Sequence, residues 1–187
     1  MNSTEKCLLL DRDGVCNQDR SHYVRTPEEL ILLPGVSVSL GRLHRAGYRI
    51  LIITNQAGVG KGLITPATLD AIHHKLKRAA EEEGGRIDGI YCCMHTPDDH
   101  CACRKPAPGL ILAAQKEWGF SPETTWMIGD AVRDVLAARA AGLCPALVRT
   151  GHGMHSIQHL PEIPAFDDLS AFTDFLLAKE SPASALC

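Results

Sequence analysis

Leu8-Leu9-Leu10-Asp11-Arg12-Asp13-Gly14-Val15 runs from an apolar segment straight into two acids spaced i, i+2 and then a glycine. Three leucines in a row suit a strand buried on both faces, and Gly14 lets the chain turn sharply where that strand ends. In an open α/β sheet, ligands bind beyond the carboxyl ends of the strands, which puts both acids where chemistry happens. There Asp11 is equipped to attack phosphorus as a nucleophile and to hold Mg²⁺ through its other oxygen. Asp13 is equipped to protonate a leaving oxygen and then to act as base on water. The same residues also read as a strand followed by an acidic turn, and the remaining chain decides between the two.

A length of 187 residues suits one domain with a sizeable core. The net charge of -3, with no block of lysine and arginine, argues against a nucleic-acid or anionic-membrane partner. No apolar stretch approaches the ~20 residues of a membrane span. Only residues 7–10 stand where a signal peptide needs a longer apolar segment, so a cytoplasmic location is expected. Of the 8 cysteines, Cys92, Cys93, Cys101 and Cys103 bunch together while Cys7, Cys16, Cys144 and Cys187 are scattered. In a reducing compartment such a bunch is read as a metal site before it is read as crosslinks.

The polar stretch 16–33, with Asn17, Asp19, His22, Tyr23 and Arg25, has the length of a functional flap and suits a polar substrate. Pro34-Gly35 opens a helix with Val36, Leu40 and Leu43 on its apolar face and Gly47 beyond its end. Arg49 to Ile53 reads as a second strand, ending in Thr54-Asn55-Gln56. Gly58, Gly60 and Gly62 with Lys61 follow; the spacing is not that of a P-loop, and the glycines suit a phosphate or sugar cradle as well as a plain flexible turn. Thr65-Pro66 starts a helix carrying Leu69, Ile72, Leu76 and Ala79, with His73 and His74 expected on its solvated flank. Residues 87–92 read as a third strand.

Cys93, His95, Cys101 and Cys103 then give C-x-H-x5-C-x-C, the composition of a closed structural zinc site, with Cys92 and His100 as lower-ranked substitutes. Four protein ligands leave no place for an activated water, so the metal is expected to staple a loop. Directly after it stand Arg104, suited to a second anionic or hydroxylated part of a substrate, and Lys105, suited to meet a phosphoryl group and Asp11. A helix over 108–118 and a fourth strand over 126–128 lead to Gly129-Asp130. Asp130 reads as a third carboxylate for Mg²⁺ or as a helix cap, and Asp134, one helical turn on, as an alternative ligand or a support behind the ligands. A fifth strand over 146–148 ends in Arg149-Thr150-Gly151-His152-Gly153, and 169–177 reads as a closing helix. The domain is expected to span 1–180, with 181–187 as a disordered tail.

Asp11-Arg12-Asp13-Gly14, Thr54-Asn55-Gln56, Arg104-Lys105-Pro106 and Gly129-Asp130 resemble, in order, the four motifs of the haloacid-dehalogenase-type phosphatases. The Cys/His set and Leu147-Val148-Arg149-Thr150-Gly151 resemble the histidinol-phosphatase-related branch of that family, and the likeness covers about residues 7 to 153. The resemblance implies a Rossmann-like parallel sheet of α/β class without an inserted cap domain, and an aspartyl-phosphate intermediate. It implies Asp11 as nucleophile, Asp13 as acid/base, Thr54 and Lys105 on the phosphoryl group, and Asp11, Asp130 and the Asp13 carbonyl on Mg²⁺. Asn17, Asn55, Gln56, Lys61 and Arg104 are the expected substrate contacts. A small phosphorylated sugar, in particular a heptose bisphosphate, is the expected partner of a monomeric enzyme. Histidinol phosphate is the rival substrate, and a decayed, zinc-stapled interaction module the rival of another class. Two positions depart from the family pattern: Ala131 where a basic residue often follows the metal-binding acid, and Lys61 in place of an arginine.

Overall fold

The computed structural model describes residues 6–20 and 22–180, so the tail expected over 181–187, with Cys187, lies outside the described residues. Its elements in chain order are β1 (Cys7–Leu10), α1 (Val36–Arg45), β2 (Arg49–Asn55), α2 (Ala57–Gly60), α3 (Pro66–Glu81), β3 (Gly89–Cys93) and α4 (Gly109–Trp118). They continue with β4 (Trp126–Gly129), α5 (Val132–Ala140), β5 (Cys144–Val148), α6 (Gly153–His159), β6 (Ala165–Phe166) and α7 (Leu169–Glu180). No helix among the described residues is long and apolar enough to cross a membrane.

The strands form one parallel sheet in the order β3-β2-β1-β4-β5-β6. The leucine run of β1 is central and fully buried, as its composition requires. Alternate residues serve opposite faces. Leu8 and Leu10 pack with Ile50, Ile52 and Ile128 against α1, α3 and α7. Leu9 packs with Leu51, Ile53 and Met127 against α4 and α5. From β1 the chain adds strands first on one side and later on the other, so the strand order reverses between β1 and β4, and a crevice opens at their carboxyl ends. Leu10 is level with Ile52 on β2 and Ile128 on β4, which brings Asp11 and the ends of both neighbours to one place.

Caps and turns follow the residue types. Thr65 Oγ1 accepts from the Thr68 N–H at 3.1 Å with Pro66 in the first turn, and Gly119 ends α4 at φ 66°. Three expectations change. The glycine stretch is not an open loop: residues 57–60 wind into one helical turn, and Gly60 lies against the Met94 carbonyl, which a Cβ would approach to 2.5 Å. On α3, Ala80 and not Ala79 completes the buried stripe. His73 is not on a solvated flank but buried beside Ile72 and Leu76, facing Arg12, whereas His74 is exposed. Besides α2, sequence patterning did not reveal α6 and β6, which are short, β6 having only 2 residues.

Candidate active site

The crevice between β1 and β4 is built on one buried lysine. Lys105 Nζ meets Asp11 Oδ1 at 2.9 Å and Asp134 Oδ1 at 2.7 Å, and donates to the Ile53 carbonyl at 2.7 Å. Three acceptors use all three ammonium protons. The lysine reaches this position because Asn55 grips its backbone from both sides: Asn55 Nδ2 donates to Lys105 O, and Lys105 N donates to Asn55 Oδ1, each at 3.0 Å. Asn55 therefore lines the cleft with its amide already committed to the Lys105 backbone. Asp11 also accepts from the Arg12 N–H at 2.7 Å, so its carboxylate is fixed by two donors.

Asp130 sits opposite, at the end of β4. It does not cap α5. That place belongs to Ala131, whose N–H donates to Asp134 Oδ2 at 3.0 Å. Asp134 thus links the α5 terminus, through Oδ2, to Lys105, through the ion pair at Oδ1. Asp130 Oδ2 accepts from the His152 N–H at 2.8 Å, while its Oδ1 is buried without a protein partner. Two glycines make the room for it, since a Cβ on either Gly14 (φ +82°) or Gly151 (φ +58°) would run into Asp130 Oδ2. Thr150 Oγ1 donates to Gly14 O at 2.6 Å and ties the two glycine loops together.

Carboxylate oxygens of Asp11, Asp130 and Asp134 lie within 4.8 Å of one another. Burial and then the repulsion of Asp134 push Asp130 up to about 7. Burial pushes Asp11 up to about 8 against the pull of Lys105, with Asp134, Asp130 and Asp13 adding to the rise. A divalent cation fits this arrangement: hard oxygen ligands, an excess of negative charge, and an orphaned buried carboxylate oxygen on Asp130. Asp11 and Asp130 are the side chains placed to hold Mg²⁺.

Asp13 lies at the rim with its side chain 21% exposed. Arg12 donates to it from Nε (3.2 Å) and Nη2 (2.8 and 3.0 Å), Asn17 Nδ2 at 2.9 Å and Gln56 Nε2 at 2.8 Å. Burial opposes ionisation, but Arg12 and these donors hold the carboxyl below its usual range. Asn17 is fully buried and absent from the cleft lining, its Nδ2 donating to Asp13 and the Gln18 carbonyl and its Oδ1 without a hydrogen-bond partner among the described residues. The fold does not present it as the substrate contact expected. Gln56 bridges Asp13 and Thr54 Oγ1, both at 2.8 Å, and Thr54 is fully buried at the end of β2.

The cleft above these groups holds about 340 Å³, with Arg20, Arg104, Arg133 and His152 on its walls. Arg133 was not foreseen. It answers the absence of a basic residue at Ala131 from two positions along, on the first turn of α5, where Asp134, Asp11, Asp130 and Asp19 sustain its charge against burial. A basic residue at i+3 from Asp130, on a helix opening at the strand end, is the signal that could have found it. His152 also reaches across to the flap, its Nε2 2.8 Å from Asp19 Oδ2. Lys61 does not line this cleft; it is exposed, with its ammonium 5.4 Å from the centroid of the Tyr23 ring on the flap.

Cys93, His95, Cys101 and Cys103 converge beside Arg104. The sulfurs are 3.3–3.6 Å apart, and His95 Nδ1 is 3.6 Å from Cys93 and 3.3 Å from Cys103. Tetrahedral zinc with Zn–S of about 2.3 Å separates its ligands by about 3.8 Å, so the set fits one ion with a small outward relaxation. Cys92 and His100 lie outside the cluster. Arg104 Nη1 donates to the His95 carbonyl at 3.3 Å, so the metal loop also orients a cleft residue.

Residues 102–171 match the HAD-hydrolase-like family model. The chain is 42% identical over 175 residues to D-glycero-beta-D-manno-heptose-1,7-bisphosphate 7-phosphatase of Bordetella bronchiseptica, covering 92% of this chain and 98% of that one. To the Pseudomonas putida protein of the same description it is 40% identical over 174 residues, covering 92% and 99%. The solved structure of D,D-heptose 1.7-bisphosphate phosphatase from B. bronchiseptica, complexed with magnesium and phosphate, superposes with a TM-score of 0.91 over 93% of this chain and 99% of that one.

Two outcomes are expected. Elemental analysis of the purified protein should find about one zinc per chain, and Cys103→Ser should lose most of it along with thermal stability. In metal-free protein, Asp11 and Asp130 keep protons that the unfolded chain releases near its carboxylate value of 3.8, so stability should fall as pH rises through about 7 and about 8. Melting temperatures followed from about pH 5 to about pH 8 should show that decline, with Mg²⁺ opposing it and Asp130→Asn making it shallower.

Proposed function

The chain belongs to the family of the D-glycero-beta-D-manno-heptose-1,7-bisphosphate 7-phosphatases within the haloacid-dehalogenase-type hydrolases, and from that premise we propose that it removes the 7-phosphate of a heptose 1,7-bisphosphate through a phosphorylated Asp11. The observation that carries the reading is the convergence of Asp11, Asp130 and Lys105 in one buried cluster beneath a cleft walled by Arg20, Arg104 and Arg133.

In the proposed reaction the Asp11 carboxylate, oriented by Lys105 and the Arg12 N–H, attacks the phosphorus, and the bond from phosphorus to the sugar oxygen breaks. Asp13, which the free protein holds ionised, takes up a proton as the phosphorylated substrate binds and passes it to the leaving oxygen. It then takes a proton from the water that attacks the aspartyl-phosphate and frees inorganic phosphate. Mg²⁺, held by Asp11, Asp130 and the Asp13 carbonyl, would neutralise phosphoryl charge and draw Asp11 and Asp130 into their ionised forms. Lys105 and Thr54 stand at the phosphoryl end. Asp134 acts through Lys105, by holding it. Asn55 does the same from the backbone side.

Arginines on the cleft wall suit a substrate that carries a second phosphate. They work against histidinol phosphate, which carries an ammonium group and an imidazole and no second anion. The proposed setting is the cytoplasm, which the free state of Cys7, Cys16, Cys92, Cys93, Cys101, Cys103 and Cys144 supports. The proposed working unit is a monomeric phosphatase domain over residues 1–180, with the sugar bisphosphate as its partner and no part for nucleic acid or membrane.

Phosphate release with Mg²⁺ should favour a heptose 1,7-bisphosphate over histidinol phosphate by about 100-fold, or about 2.7 kcal/mol in transition-state terms. Asp11→Asn should abolish it. Activity retained in that variant would remove Asp11 from its role, and preference for histidinol phosphate would reassign the substrate.

A further inference from the structure

The side chains of Arg12 and His73 are both buried next to the reaction centre, and neither side chain has a part in the steps above. The Arg12 guanidinium faces two ways. Its Nε and Nη2 edge is spent on Asp13, at 3.2, 2.8 and 3.0 Å. Its Nη1 points backward to His73 Nε2 on α3, at 3.4 Å. Since Nη1 can only donate, the imidazole must present an unprotonated Nε2 and is neutral. Burial, and then the charge of Arg12, push His73 down to about 4, which agrees with that assignment.

A neutral acceptor is what this position requires. A carboxylate behind Arg12 would compete with Asp13 for the guanidinium, and an apolar residue would leave a buried N–H without a partner and free the fork to turn. An imidazole satisfies the N–H while leaving the whole positive charge directed at Asp13. Asn17 and Gln56 complete the hold from the other sides.

We propose that His73, through Arg12, is a positioning residue for Asp13: the imidazole anchors the guanidinium on α3 so that the fork fixes the direction in which Asp13 delivers and receives its proton. The inference rests on the reading of Asp13 as the acid/base of the proposed phosphatase. It distinguishes substrates by leaving group. A sugar alkoxide leaves only with a proton from Asp13, whereas p-nitrophenolate leaves without one. For both substrates, kcat/KM reports the steps up to formation of the aspartyl-phosphate, so the two values separate proton delivery from every other property of the site.

The test compares the full-length enzyme with His73→Leu, which keeps an apolar body beside Ile72 and Leu76, and with His73→Gln, which restores a neutral acceptor. His73→Leu should lower kcat/KM for the heptose bisphosphate about tenfold while kcat/KM for p-nitrophenyl phosphate stays within about twofold of wild type. His73→Gln should recover most of the loss. A parallel fall with both substrates, or no change with either, overturns the inference. A wild-type enzyme that hydrolyses neither substrate overturns the phosphatase reading instead, so the two failures are told apart.

Discussion

Lys105 is the charge around which the site is assembled. A lysine taken out of water is costly unless its protons are matched, and here Asp11, Asp134 and the Ile53 carbonyl match them within 2.9 Å. Removing either carboxylate would leave part of that charge unpaired inside the protein, at a cost of about 3–5 kcal/mol by the usual measure of broken buried pairs. Yet one ammonium answers only one of the three carboxylates gathered there. The surplus raises Asp11 and Asp130 well above ordinary carboxylates and creates the demand for a cation. The site is stable enough to form and too acidic to be complete, which is the condition for binding metal and phosphate together.

Each part of the fold answers to that centre. The reversal of strand order between β1 and β4 brings Asp11 and Asp130 together, and Gly14 and Gly151 give Asp130 its space. Lys105 comes from a connection that no strand or helix supports. Asn55 holds its backbone, and the Cys93/His95/Cys101/Cys103 cluster closes the loop just ahead of it. The proposed zinc therefore substitutes for secondary structure at Lys105, which, unlike Asp11 and Asp130, does not directly follow a strand. The same cluster carries the carbonyl that Arg104 donates to, so the proposed substrate grip and the proposed phosphoryl chemistry share one support.

Much of this was legible in the sequence because the chemistry stands at strand ends, and an apolar run that stops at polar residues is a local pattern. Asp11, Thr54 and Asp130 were found that way, and the Cys/His set was found because its ligands fall within 11 residues of one another. What escaped depends on how elements pack. His73 and His74 are adjacent on one helix, and only the position of α3 against the Arg12 loop buries the first and exposes the second. Asn17 and Gln56 carry the right chemistry for a sugar, but their amides are spent inside the protein on Asp13. Arg133 needed the helix phase of α5, and Lys61 needed the direction in which α2 turns. Strand β6 lacks any apolar run that would announce it, being 2 residues long.

The direct test of the central claim is a rapid acid quench during turnover of a heptose 1,7-bisphosphate, followed by mass spectrometry of peptides from the denatured protein. The result expected is one phosphoryl group on the peptide containing Asp11, appearing before free phosphate and disappearing as substrate is exhausted. Turnover at a normal rate with no phosphoryl group on the protein at any quench time, or with the group on a different residue, would contradict it.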